Sequence, residues 1–389
     1  MPLRQTYCSH SESQSHSKHL HTESSSSNSQ PTLPSIPSHN RHQLIATLKG
    51  HATYPSSIAI AGKFLYTGSS DREIRLYKRN SLTSEFEYES LTDNTVAAGT
   101  GAVKSLVVLS NKIFSAHQDH KIRVWKIEAG HQKFLRLATL PTLSDRALKL
   151  LTPKNHVQIR RHKKCTWVHH VDTVSALALS SDESLLYSVS WDRTIKIWQT
   201  TDFKCLESVR NAHDDAINAV ALADDGHVYT GSADKTIRVW RKNPGETKHT
   251  LVSTLEKHNS GVNALALSTD GLVLYSGSCD RSILAWEKED DSGDMMVVGV
   301  LRGHAKPILC LAVVSNIVFS GSADATVRVW TGAGGCYSCL AVLEGHRGPV
   351  KCLTAESDRL NPSDGTTYLL YTGSLDCDIK VWQISAPSL

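Results

Sequence analysis

Residues Gly303 to Trp330 read GHAKPILCLAVVSNIVFSGSADATVRVW, and this stretch decides the fold. A Gly-His turn opens it. Ile308, Cys310 and Ala312 then form an apolar alternation, and after Asn316 a second run extends from Ile317 to Ser320. A tight Gly-Ser-Ala-Asp turn separates that run from a third, which ends at Trp330. Period-two alternation between short turns predicts three half-buried antiparallel strands. So small a sheet leaves its edges open and needs neighbours.

The neighbours are copies of the same stretch. An Asp followed six residues later by an aromatic occurs seven times: Asp71/Tyr77, Asp119/Trp125, Asp192/Trp198, Asp234/Trp240, Asp280/Trp286, Asp324/Trp330 and Asp376/Trp382. A hydroxyl stands four residues before each Asp: Thr67, Ser115, Ser188, Thr230, Ser276, Ser320 and Thr372. Further upstream lie His51, His170, His213, His258, His304 and His346. Polar residues locked to a period call for a structural explanation. An indole N–H donated to the hydroxyl, a His bonded to that hydroxyl and an Asp accepting from the His make a buried relay that fixes strand register. The sets His304, Ser320, Asp324, Trp330 and His213, Thr230, Asp234, Trp240 are therefore assigned to structure. Seven Ser-His-Asp sets are not seven catalytic triads.

This grammar resembles that of WD40 repeat proteins, and the resemblance covers roughly Gln43 to Ile384. It implies an all-β fold, a seven-bladed WD40 β-propeller closed by pairing of the N- and C-terminal strands. Repeat 1 departs from the pattern by ending in Tyr77, which has no indole. Repeat 2 has Gly99 where the His is expected. The relays of those two repeats are expected to be the weakest of the ring.

Composition fits one large propeller plus a tail. The chain has 389 residues and a formal net charge of +4, mildly basic and neutral on nucleic acid. No apolar run reaches membrane-span length, no secretory core follows Met1, and no glycosylation sequon occurs. The nine cysteines are scattered. They read as reduced thiols of an intracellular protein, in cytoplasm or nucleus, and Cys336-x-x-Cys339 lacks the second pair of a zinc site. No metal, cofactor or catalytic residue is expected, so the chain is read as a non-enzyme.

Residues 1–42 are rich in Ser, His and Pro and are expected to be disordered, leaving 43–389 for the propeller. Leu44 to Leu48 has no partner strands before it, so its expected place is the outer strand of the last blade, closing the ring. Glu85 to Leu91 is expected as the outer strand of blade 1, and Lys133 to Leu140 as that of blade 2. A large insertion follows, about residues 141–168, between blades 2 and 3. Leu143 to Leu151 has helical spacing, with Thr142 or Ser144 as cap. Residues 131–165 hold nine Lys and Arg against Asp145 alone, a net +8 that leaves −4 for the rest of the chain. Arg160, Arg161, Lys163 and Lys164 form its basic core, read as a solvated loop, a contact for an acidic partner, or a nuclear or nucleic-acid patch. No aromatic residues interleave the basic run, which disfavours nucleic acid. As a link from an outer to an inner strand, the insertion belongs on the face with the His and Asp turns. If Cys165 to His169 were instead the outer strand of blade 2, it would project from the opposite face. The loops Glu287–Asp294 and Asp358–Thr367 read as solvated turns.

In this fold, partner contacts concentrate around the inner strand and the residue before the turn Asp. Those positions are Lys104, Gln118, Thr173, Ser175, Trp191, Asn218, Asn263, Leu309, Lys351 and Leu375. Trp191 differs from the rest, because it is not the relay Trp of its blade and its turn should expose it, the setting of a hot spot.

The segments PTLSDRALKLL (141–151), PKNHVQIRRHKK (153–164), VDTVSALALSSDESLLYSVSWDRTIKIW (171–198) and TDFKCLESVRNAHDDAINAV (201–220) resemble the plant JINGUBANG-like WD40 proteins. That resemblance implies a plant intracellular regulator that binds other proteins, tied to restraint of pollen germination and to a transcription-factor partner. Overall the sequence predicts a non-catalytic protein-binding scaffold, monomeric, with no membrane contact. Two alternatives stand beside it. A substrate receptor of a cullin-type ubiquitin ligase needs Trp-Asp-x-Arg after a third strand, and the nearest match, Trp286-Glu287-Lys288-Glu289, lacks the Arg. A nucleic-acid-associated nuclear WD40 protein would use the basic insertion.

Overall fold

The structure is a computed structural model that describes residues 42–79, 88–98, 100–127, 134–150, 156–160, 163–243, 245–289, 294–333, 335–358 and 366–386. Apart from His42, the Ser-rich segment 1–42 lies outside these residues, as do Gly99 and Arg161. The described chain forms seven four-stranded antiparallel sheets and one two-stranded hairpin. Each sheet is a blade, and its strands are named here inner, second, third and outer.

The repeat quoted above is blade 6. Its strands are Ile308–Val314, Ile317–Ser322, Val327–Ala333 and Cys336–Leu343, paired in that order. Blade 7 is composite. Val350–Asp358, Thr366–Ser374 and Ile379–Ala386 come from the C-terminal end, and His42–Leu48 supplies the outer strand, with Leu44 opposite Trp382 and Leu48 opposite Ile379. Pairing the two ends closes the ring and removes the open edge a linear array would keep.

Two strand limits differ from expectation. The outer strand of blade 1 is Tyr88–Ala98, eleven described residues with breaks in register, and so runs past the expected end at Leu91; residues 85–87 of the expected strand lie outside the described residues. Seven residues of it, 92–98, lie beyond Leu91. Asp358 ends the inner strand of blade 7 as a buried residue, with its carboxylate 3.1 Å from Arg79, so it is not part of a solvated turn.

The core lies between blades. One cluster joins Phe319, Val327 and Val329 of blade 6 to Val350, Leu370 and Trp382 of blade 7. Another joins Tyr275 and Ile283 of blade 5 to Ile308 and Trp330 of blade 6. Such packing requires the second strands to come close to the next inner strand. A Cβ on Gly277 would sit 2.6 Å from Ile308 Cγ2, and one on Gly321 would sit 2.7 Å from Val350 Cγ1. Glycine is the residue that admits this approach.

The turn carrying each Asp has one geometry throughout. The residue after the Asp adopts a left-handed conformation in all seven blades: Arg72, His120, Arg193, Lys235, Arg281, Ala325 and Cys377. None is Gly. In six blades the Asp Oδ1 accepts the N–H two residues on, as from Thr326 at 3.0 Å, and this side-chain turn holds the strained residue in place.

Candidate functional site

The polar quartet is a continuous relay in blades 3 to 7. In blade 6 Trp330 Nε1 donates to Ser320 Oγ at 2.8 Å, Ser320 Oγ lies 2.8 Å from His304 Nε2, and His304 Nδ1 lies 2.9 Å from Asp324 Oδ2. In blade 4 Trp240, Thr230, His213 and Asp234 repeat it at 2.9, 2.8 and 2.9 Å. Blades 3, 5 and 7 follow. A neutral imidazole protonated on Nδ1 satisfies every member, donating to Asp and accepting the hydroxyl proton on Nε2. The electrostatics agree. Burial holds His304 below the ordinary imidazole value, outweighing the opposing pull of Asp324. Burial would raise the Asp324 carboxyl, but hydrogen bonds from Thr326 and His304 outweigh it and hold it at about 2. The relay hydroxyls are fully buried beneath indoles, so none can reach a substrate.

Blade 2 builds its relay differently. Trp125 Nε1 donates to Ser115 Oγ at 2.8 Å, and Ser115 Oγ lies 2.8 Å from the Nε2 of His117, on the same strand. His117 Nδ1 lies 2.9 Å from the Gly101 carbonyl. A His two residues past the hydroxyl thus replaces the missing upstream His, and a backbone carbonyl replaces Asp. The expectation that this blade lacks a His is corrected. The signal was present, because that position is Ser in the other six repeats: Ser69, Ser190, Ser232, Ser278, Ser322 and Ser374. Asp119, released from the relay, binds Arg123 and the Thr100 hydroxyl. Burial and the Arg123 charge push His117 down to about 4. In blade 1 His51 bridges Asp71 and Thr67 at 2.8 Å each, while the Tyr77 hydroxyl donates to the Lys49 carbonyl at 3.3 Å. His51, Asp71 and Glu73 are near enough to share a metal ion. However, the first two are the relay pair and Glu73 holds Arg75 at 2.8 Å, so the donors are already committed.

Three of the expected contact residues tie blades together. Ser175 Oγ donates to the Ile217 carbonyl at 2.5 Å, Asn218 Nδ2 to that of Val262 at 3.0 Å, and Asn263 Nδ2 to that of Ile308 at 2.7 Å. Ser56 does the same to Val103. Lys104, Leu309 and Lys351 occupy this position in blades 2, 6 and 7. There the residue one further on makes the tie: Ser105 Oγ accepts from Leu177 N, and the thiols of Cys310 and Cys352 approach the carbonyls of Val350 and Pro55 at 3.6 Å. Thr173 is buried, and its carbonyl accepts the Trp191 N–H at 3.0 Å. Gln118 and Lys351 are exposed, and Lys104 and Leu309 are half-buried.

Two large apolar side chains on the Asp-turn positions face water: Trp191 at 43 % exposure and Leu375 at 42 %. Val171, 38 % exposed, accompanies Trp191, since its N–H donates to the Asp192 carboxylate at 2.8 Å. Val171 was not singled out in the sequence. Only the turn geometry brings its backbone to the Asp turn that carries Trp191.

The WD domain, G-beta repeat family model matches residues 42–78, 162–199, 203–241, 249–287, 295–331 and 337–383, more than half of the chain. The chain belongs to the WD40 family. Blade 2, with its displaced His, is the blade outside these matches. The crystal structure of the WD40 propeller domain of Doa1 overlays with a TM-score of 0.66 at 22 % identity, covering 88 % of this chain and 97 % of that one. Among curated proteins, the ribosome biogenesis protein ytm1 of Emericella nidulans is 25 % identical over 71 % of this chain and 47 % of its own length. The small ribosomal subunit protein RACK1 of Drosophila melanogaster is 26 % identical over 41 % of this chain and 52 % of its own. Autophagy-related protein 16 of Arabidopsis thaliana is 24 % identical over 71 % and 57 %. The chain spans about half the length of these relatives.

Against a regular WD40 ring, the insertion is the distinguishing feature. The outer strand of blade 2 is Phe134–Leu140, so the insertion links an outer to an inner strand, and Cys165 belongs instead to a hairpin of His156–Arg160 with Lys163–Thr166. The reading of Cys165–His169 as an outer strand is thereby corrected. Arg160 pairs with Lys163 and Gln158 with Lys164. The helix Leu143–Leu150 is capped by Thr142, whose Oγ1 accepts from Asp145 N at 3.2 Å. Buried Asp145 accepts the N–H of Cys205 at 3.0 Å. Cys205 pairs with Trp198, at the end of blade 3 remote from Asp192. The insertion leaves and rejoins at the His and Asp face, but its helix reaches towards the opposite end of blade 3.

Proposed function

We propose that this WD40 protein is a non-catalytic scaffold that captures a partner protein on the face bearing the Asp turns, with Trp191 as the anchor. The observation that carries this reading is the exposed Trp191, on the turn to which exposed Val171 is bonded, on a face whose reactive-looking groups are consumed by relay bonds. An indole held on a rigid turn loses little entropy on binding and buries a large area. Gln118, Lys104, Leu309, Lys351 and Leu375 supply the surrounding contacts.

The finer reading rests on the resemblance of residues 141–164, 171–198 and 201–220 to the JINGUBANG-like proteins. On it, the scaffold works in the cytoplasm or nucleus of plant cells, restraining pollen germination through a transcription factor. Relatives named for ribosome biogenesis and for the small ribosomal subunit are about half covered, and their names describe other assemblies.

Capture from the native tissue with Trp191→Ala tests the proposal. Loss of the partner with an unchanged Tm supports it. Undiminished capture, or equal loss of fold and binding, refutes the anchor.

A further inference from the structure

We propose a second docking surface, on the rim at blade 3, that takes an acidic extended segment of a partner protein. A groove of about 480 Å³ lies there. Its floor is the outer strand of blade 3, Cys205–Val209, which is an edge strand of its sheet. Trp167, at the end of the insertion, flanks it on one side, and Thr247 to His249 of blade 4 on the other.

Three observations give the groove its chemistry. The first is the apolar floor: Leu206 is 47 % exposed, and Val209 and Trp167 are half-buried beside it. The second is the sign of the charge. Arg210 and Lys248 line the groove as exposed cations, and the buried Lys196 ammonium donates to the Trp167 carbonyl and the Ser208 hydroxyl, both lining groups. The strand Lys163–Thr166 leads directly into Trp167. The third is the state of the one lining acid. Both oxygens of Glu207 are used internally, by the backbone N–H of His249 at 2.9 Å and its ring Nδ1 at 2.7 Å, while the Tyr187 hydroxyl lies 3.2 Å from the other ring nitrogen. The carboxylate is locked into the wall, and the groove presents positive charge over an apolar strand edge.

An edge strand offers backbone hydrogen bonds to an added strand, and side-chain pockets then choose the sequence. The complementary ligand is an extended peptide with carboxylates towards Arg210 and Lys248 and an apolar side chain over Leu206. Trp167 is the one indole among the described lining residues and His249 is tied to Glu207, so no row of stacking aromatics alternates with the cations, which favours peptide over nucleic acid.

The test uses the full chain and a fluorescein-labelled peptide alternating Glu with Thr or Val. Binding is read by anisotropy, with amide exchange of residues 205–210 as the local readout. The wild-type chain should bind and slow exchange in that strand. The exposed double variant R210E/K248E should weaken binding by about tenfold or more with an unchanged Tm. Trp191→Ala should leave it untouched, which separates this surface from the Asp-turn face. No binding, equal binding by R210E/K248E, or protection elsewhere than 205–210 overturns the proposal. So does tighter binding of a single-stranded oligonucleotide with a steep salt dependence, which would assign the groove to nucleic acid.

Discussion

Removing one relay carboxylate should cost more than its position on a surface turn suggests. Asp324 accepts four hydrogen bonds. Oδ2 takes His304 Nδ1 and the Ala305 N–H, both at 2.9 Å, and Oδ1 takes the Thr326 N–H at 3.0 Å and its hydroxyl at 2.7 Å. In Asp324→Ala, water can replace the acceptor for the exposed Ala305 and the half-buried Thr326. It cannot reach His304, whose side chain is fully buried. The Thr326 hydroxyl, 3.3 Å from His304 Nδ1, is a weaker replacement acceptor, so the loss, with part of the turn, costs about 2–3 kcal/mol. With a urea slope of about 3 kcal/mol/M the midpoint falls by about 1 M. Asp324→Asn keeps one carbonyl oxygen for His304 and should lose about half as much. Protection of the Trp330 indole N–H should fall in step, since its acceptor Ser320 is held by the same His. An unchanged midpoint in Asp324→Ala, or equal losses in the Ala and Asn variants, would refute the claim that the relay is a connected unit.

Other expectations follow from the same geometry. His117→Ala should destabilise by about 2–3 kcal/mol in urea unfolding, as a relay His does elsewhere, although it sits outside the repeat's usual His position. Asn263→Ala should cost about 1 kcal/mol by leaving the Ile308 carbonyl without its inter-blade donor, and calorimetry should show that loss. Stability should decline as pH falls from 7 towards 5. His258, His304 and His346 are held low by burial, so their contribution is complete above the unfolded value of 6.5 and is lost below it. Asp280 and Asp324, held at about 2 against an ordinary 3.8, add a second decline as pH falls from about 4 to about 2. A flat urea midpoint between pH 7 and 5 would contradict the assignment of neutral, buried imidazoles.

The ring, its closure and the relays were legible because each repeats, and a repeated polar set is a register mark rather than a chemical accident. Leu44 to Leu48 announced the closing strand because a lone strand before the first repeat has only one place to pair. Blade 2 was misjudged because alignment looks for a His upstream, whereas a hydrogen bond asks only that an imidazole nitrogen reach Ser115. The inter-blade ties of Ser175, Asn218 and Asn263 were read as contact residues for a related reason. A small polar side chain on an inner strand gives no local sign of whether it faces a partner or the neighbouring carbonyl. The groove beside blade 3 was illegible altogether. It joins residues 167, 206–210 and 247–249, which no local pattern connects.

The closing blade shows how the ring compensates where its ties are weakest. Between blades 3 and 4, 4 and 5, and 5 and 6, a hydroxyl or amide donates to the next blade's carbonyl, whereas on both sides of blade 7 the donor is a thiol at 3.6 Å. A thiol is a poor donor, so these two junctions gain less from the tie. At the junction of blades 7 and 1 other contacts supplement it. Arg79 of blade 1 reaches Glu356 at 3.2 Å and Asp358 at 3.1 Å on blade 7, and the Tyr371 hydroxyl steadies Glu356 at 3.0 Å. The Arg side chain and the Asp358 carboxylate are largely shielded from water, so this ion pair should exceed the modest value of exposed ones. Arg79 is then a second clasp beside the paired terminal strands. Arg79→Met keeps the side-chain bulk but removes the guanidinium that lies 3.1 Å from the Asp358 carboxylate, so it should open the ring at this seam first. Faster amide exchange in His42–Leu48 and Pro55–Ala61 than in blades 3 to 5 would show that opening, and uniform exchange around the ring would exclude it.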